Sequence, residues 1–91
     1  MRPERAMFRY QVPVSDEWNE ISLSGEPVAV AVTSDGAVEF WAEDSGLPRR
    51  RFRYFRVFGT GHPLPANARW VGTCPRTVSG LVWHLYEGVF E

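Results

Sequence analysis

Two histidines, one cysteine and ten basic side chains, all arginine, carry most of the chemical reach of this 91-residue chain. His62 sits in the stretch Phe58–Pro65, FGTGHPLP. Gly59 and Gly61 can take positive φ and turn successive backbone N–H groups into a concavity that binds an anion. Thr60 adds a hydroxyl, and His62 a donor or acceptor that titrates near neutral pH. Arg53 or Arg56 would complete a phosphate site with a bidentate guanidinium. Tyr54 or Trp70 would stack on a base. The stretch is not a P-loop, because the Lys is absent, the spacing differs and no helical pattern follows. The same residues also read as a tight turn, with Gly59 and Gly61 supplying backbone geometry and Pro63 holding His62 extended.

The neighbouring RRRFRYFR run, residues 49–56, holds five arginines in eight positions. A basic aromatic strand can pair phosphates and stack bases. Strand alternation opposes this, since Arg51 and Arg53 share one face and Phe52 and Tyr54 the other. A solvated face opposite Glu39, Glu43 and Asp44 across strands is the plainer account. The all-arginine usage fits codon bias in a GC-rich genome better than anion recognition, because the arginines are not all clustered. A net charge of −1 argues against general nucleic-acid binding, which wants a basic domain. His84 is a lone histidine on an apolar strand and is expected to be satisfied by a backbone carbonyl or a Tyr hydroxyl. Zinc would need His62, Cys74 and His84 together, and their spacings match no zinc pattern. Neither Cys74 nor Ser79 stands in a nucleophile motif. No catalytic residue, metal or cofactor is expected.

These residues need elements to hold them. Phe8, Tyr10 and Val12 alternate with Arg9 and Gln11 as a half-buried strand does, and Pro13 limits it. Asn19, Ile21 and Leu23 share a face of a second strand. Val28, Val30 and Val32, then TSDG, then Val38, Phe40 and Ala42 predict a β-hairpin. Glu43–Arg50 reads as a loop. Arg51–Phe58 reads as a long strand whose alternation slips between Tyr54 and Phe55, which means a bulge or a strand covered on both faces. Trp70 and Val71 start a short strand ending at Gly72. The last strand, Leu81–Tyr86, is apolar on both faces, so it is central or buried by a partner. Its Leu81, Trp83, Leu85, His84 and Tyr86 form the predicted interface. No segment has a helical period. The expected fold is all-β, a small antiparallel β-sandwich or partly open barrel of six to seven short strands.

One domain is expected over residues 7–91, after a flexible leader over 1–6; Met7 is an alternative start. A chain this short buries only about 60–65% of its unfolded surface and gains from a partner. Four Trp, three Tyr and six Phe compensate for a small core and suit interfaces. A single cysteine excludes an intrachain disulfide. No apolar run approaches the roughly 20 residues of a membrane helix, and MRPERA lacks the apolar segment of a secretory signal. A soluble cytoplasmic protein is expected.

FRVFGTGHPLP, then WVGT, then GLVWHLYE resembles a group of small uncharacterised actinobacterial and bacteriophage proteins. An F-R/K-Y-x-V-P strand matches Phe8–Pro13, and a W-A strand matches Trp41 and Ala42. The resemblance covers most of residues 7–87; residues 44–50 look like a variable insertion, and Arg49, Arg50 and Cys74 fall outside the pattern. It implies a phage or prophage accessory gene and carries no activity. The expected function is a non-enzymatic β module that self-associates as a homo-oligomer and binds a host protein, with an anti-defence role. The alternative is a binder or sponge for an anionic small molecule such as a nucleotide signal, built on the GTGH loop. A second alternative is an enzyme using His62 and His84.

Overall fold

The computed structural model describes residues 5–44, 51–77 and 79–90. Seven strands follow one another: β1 Ala6–Val12, β2 Asn19–Leu23, β3 Pro27–Val32, β4 Val38–Asp44, β5 Arg51–Gly59, β6 Ala68–Thr73 and β7 Trp83–Gly88. Much of the expected leader and insertion lies outside the described residues, as do Arg49 and Arg50. Ala6 already opens β1, and Asp44 closes β4.

Period-2 alternation makes these strands amphipathic. In β4, Val38, Phe40, Ala42 and Asp44 turn inward while Glu39, Trp41 and Glu43 turn out. The β3–β4 hairpin closes through Thr33 N–H to the Ala37 carbonyl at 2.8 Å, with Gly36 at φ +92°. The Thr33 hydroxyl also accepts from Ala37 N–H at 3.0 Å.

The strands form two antiparallel sheets, β1-β4-β3 and β2-β5-β7-β6. They stack as a sandwich with open edges, not as a closed barrel. β3 lies over β6 and β1 over β5. The core between them is Val12, Leu23, Val38, Phe40, Ala42, Phe55, Val57, Cys74 and Leu85. Phe40 and Phe55 meet across the sheets with ring centroids 4.7 Å apart, and Tyr10 stacks on Phe40. Such pairs add about 0.5–1.5 kcal/mol beyond their area. Gly72 sets how closely β6 approaches β3, since a Cβ there would stand 2.3 Å from Val30 Cγ2.

β5 pairs with β2 and β7 without a bulge. The broken alternation therefore comes from cover on both faces. Arg53, Phe55 and Val57 point inward, whereas Phe58, only 3% exposed, lies under an outer aromatic layer. In that layer Trp18 meets the edges of Phe58 and Phe90, Phe90 meets Tyr54, and Tyr86 meets Phe58. β7 lies between β5 and β6, and its two apolar faces are covered by different layers: Trp83 and Leu85 face the core, and Tyr86 joins the outer aromatic layer.

Two boundaries differ from the sequence reading. The last strand runs over 83–88 rather than 81–86, because Leu81 is held in a loop by Thr77. Thr77 N–H donates to the Leu81 carbonyl, and Leu81 N–H donates to the Thr77 hydroxyl. β6 is longer than expected because its bulge at Trp70–Gly72 lets pairing continue to Thr73. β5 and β6 are each antiparallel to β7, so they run parallel to each other. The Thr60–Asn67 connection must therefore cross β7, from the end of β5 to the start of β6. Among the described residues no helix is long and apolar enough to cross a membrane.

Candidate functional site

Strand register brings several sequence-predicted residues together on the outer face of the four-stranded sheet. Arg56 of β5 faces Tyr86 of β7, and Tyr86 faces Trp70 of β6. The next row is Phe58, His84 and Thr73. Trp70 is 60% exposed, yet its indole is fixed because Nε1–H donates to Thr73 Oγ1 at 3.0 Å. Thr73 Oγ1 lies 2.9 Å from His84 Nδ1, and Thr60 Oγ1 lies 2.8 Å from His84 Nε2. A neutral imidazole donates through one nitrogen and accepts through the other. One of the two threonine hydroxyls must therefore donate to the ring while the other accepts from it. The partners of His84 are hydroxyls, not the backbone carbonyl or Tyr hydroxyl expected.

Arg56 is the cation of this face. Its guanidinium lies over the Phe58 ring at 4.4 Å, and its buried Nε has no hydrogen-bond partner. It makes no ion pair among the described residues. Charge and aromatic surface thus coincide at Arg56, which shares the phase of Phe52 and Tyr54. Arg51 and Arg53, on the other phase, carry no information about this position.

Arg53 has a different role. It is 5% exposed and points between the sheets. Its Nε and Nη2 donate to the two Glu87 carboxylate oxygens at 2.6 and 2.8 Å, Nη1 to the Gly25 carbonyl at 2.7 Å and Nη2 to Glu26 at 3.1 Å. Arg69 adds a bond to Glu87 at 2.7 Å. Burial pushes the Glu87 carboxyl up, but the bonds from Arg53 and Arg69 outweigh it and hold the group below its ordinary value. The bond to Glu87 raises the Arg53 guanidinium in turn. Arg53 thus does not face Glu39, Glu43 or Asp44. It lies at the far end of β5 from the GTGH turn, so the two do not form one site.

That turn is a β-turn. His62 N–H donates to the Gly59 carbonyl at 3.1 Å, and Gly61 sits at φ +89°, where a side chain would be strained. The Gly59 N–H donates to His62 Nδ1 at 3.3 Å. Gly59 continues the inward phase of Val57, and a Cβ there would stand 3.0 Å from His62 Cε1. His84 shares the outward phase of Tyr86. The two histidines therefore flank opposite faces at the end of β5, with Thr60 between them: its hydroxyl bonds His84 and it lines a groove with His62.

The predicted interface residues also separate. Leu85 is fully buried in the core and Trp83 packs against it. Leu81 is exposed in the preceding loop, and only His84 and Tyr86 reach the outer face. Cys74 is buried, and burial pushes its thiol pKa up. The Ser79 hydroxyl pairs with that of Thr77 at 2.8 Å. Among the described residues no three of His, Cys, Asp or Glu gather as metal ligands. The sequence reading missed Thr73 and Glu87; a threonine one strand from a histidine leaves no local signal.

Neither a curated protein nor a solved structure matches the chain. One family does, over residues 3–91, nearly the whole length: the chain belongs to a family described as a domain of unknown function, DUF7352.

Proposed function

We propose that this chain is a non-enzymatic binding module that meets a protein partner through the outer face of its four-stranded sheet. The observation that carries this reading is the row Arg56–Tyr86–Trp70. Trp, Tyr and Arg dominate binding hot spots, because each brings a large contact area together with a polar tip. Trp70 is held ready by Thr73, so little side-chain freedom is lost on contact. Arg56 makes no ion pair among the described residues and favours an acidic group on the partner. The exposed rings of Phe52 and Phe90 extend the apolar surface. The partner is a host protein or a second copy of the chain, and the resemblance to phage and actinobacterial proteins supports an anti-defence setting.

The test is site-specific photo-crosslinking in producing cells, with benzoylphenylalanine placed at Trp70 or, on the opposite sheet, at Trp41. One discrete adduct from position 70, absent from position 41 and lost when Arg56→Ala is added, supports the reading. Equal adducts from both positions, or an adduct indifferent to Arg56, would sink it. Identifying the adduct by mass tells a second copy from another protein.

A further inference from the structure

Trp83 lies away from the outer face, at the end of the sandwich where four loops meet. Three adjoining grooves share it. One, of about 440 Å³, runs past Val14, Asp16, Arg56, His62 and Pro63. Another, of about 640 Å³, runs past Val32, Asp35, Thr77 and Leu81. Between them a groove of about 270 Å³ is lined by Thr60, His62, Arg76, Leu81 and Trp83. Each outer groove has one aspartate. The central groove has no carboxylate and two basic side chains, His62 and Arg76.

Both are arranged to donate. Because Gly59 N–H donates to His62 Nδ1, the neutral ring carries its proton on Nε2. Arg76 gives one bond, from Nη1 to the Gly80 carbonyl at 3.1 Å, and makes no ion pair among the described residues. Its remaining N–H groups are available for a planar acceptor. Asp35 in the adjoining groove is engaged by the Thr33 hydroxyl. The Trp83 indole gives the groove an aromatic wall, and Leu81 and Val82 add apolar surface.

We infer that the loop end is a small-molecule site for an aromatic anion. Its carboxylate or phosphate head sits between Arg76 and His62, and its flat body lies against Trp83. The central groove is lined by none of Arg56, Tyr86 and Trp70, so this site and that face can fail independently. Guanidinium and imidazole donors recognise the head, and the apolar wall recognises the body. A small cation is excluded, since the central groove offers it no carboxylate.

Phenyl phosphate, phenylacetate and neutral benzyl alcohol are the probes, titrated into the whole chain and followed by backbone amide NMR. Both anions are expected to shift Gly59, Thr60, His62 and Leu81 with saturation, and benzyl alcohol is not. The tighter of the two anions identifies the head group. Arg76→Ala should weaken binding about tenfold or more, as loss of a charged hydrogen bond does, and Arg76→Lys should recover part of it. Arg9→Ala, on the three-stranded sheet, should bind as the parent does. Shifts that centre on Trp70 and Tyr86, equal binding by Arg76→Ala, or no saturable shift at millimolar anion would each overturn the inference. Amide spectra of each variant alone separate lost binding from lost fold.

Discussion

Replacing Glu87 with alanine removes the carboxylate on which Arg53 is folded. Arg53 is 5% exposed and Glu87 7% exposed, and two of their bonds run in parallel at 2.6 and 2.8 Å. Removing one member of a buried ion pair costs about 3–5 kcal/mol, because the other is left desolvated. Arg53 would keep the Gly25 carbonyl and the exposed Glu26, which places the cost near the lower end, about 3 kcal/mol. Arg69→Ala deletes only a solvent-facing partner and should cost about 0.2–1 kcal/mol. Urea unfolding followed by tryptophan fluorescence measures both. With a slope of about 1 kcal/mol per molar for so small a chain, Glu87→Ala lowers the midpoint by about 3 M and Arg69→Ala by less than about 1 M. The double variant Arg53→Met with Glu87→Leu, which fills the space with apolar groups, should return close to the parent. The pH dependence has a definite sign. Glu87 is held below its ordinary value of 4.5, so its stabilisation is complete above that value and is lost as pH falls through the folded-state value. The double variant should lose that part of the acid sensitivity. Equal costs for Glu87→Ala and Arg69→Ala would refute the reasoning.

Other substitutions probe single contacts. Gly72→Ala should cost about 1–3 kcal/mol, since its Cβ would press on Val30 Cγ2, and adding Val30→Ala should recover much of it in a thermal melt. Gly61→Ala should cost about 1 kcal/mol through its positive φ alone, because no atom lies within 4 Å of the added methyl. Cys74, 1% exposed and with its thiol pKa pushed up by burial, should resist a thiol reagent in the native state and react only as the chain unfolds. A rate of labelling independent of added urea would contradict that burial.

Where one strand contained its own evidence, the sequence was legible. The β3–β4 hairpin could be read from its turn residues and its valines. The central place of β7 could be read from the absence of a polar face. What escaped was pairing between distant residues. β1 pairs with β4, 26 positions away at Val12↔Val38 and 38 at Ala6↔Asp44, and nothing in Phe8–Val12 names that partner. Arg53 and Glu87 are separated by 34 positions, so a buried ion pair looked like part of a basic run. The candidate residues were readable as types but not as groups. Register divided them into the outer row, the loop end and the core, and it separated two histidines that were only candidates for one pocket.

The placement of β7 between β5 and β6 has a consequence for the order of assembly. The first three-stranded sheet is encoded entirely within the first 44 positions and can pair while the rest of the chain is still being made. The second cannot. Until residues 83–88 arrive, β5 and β6 have no strand to join them, and Phe55, Val57 and Phe58 lie along an unfilled gap. Unpaired edges beside apolar rings invite pairing with another chain. Completion of the sandwich therefore depends on insertion of β7 after β5 and β6 have been made, and chains released before that step should be the ones that aggregate.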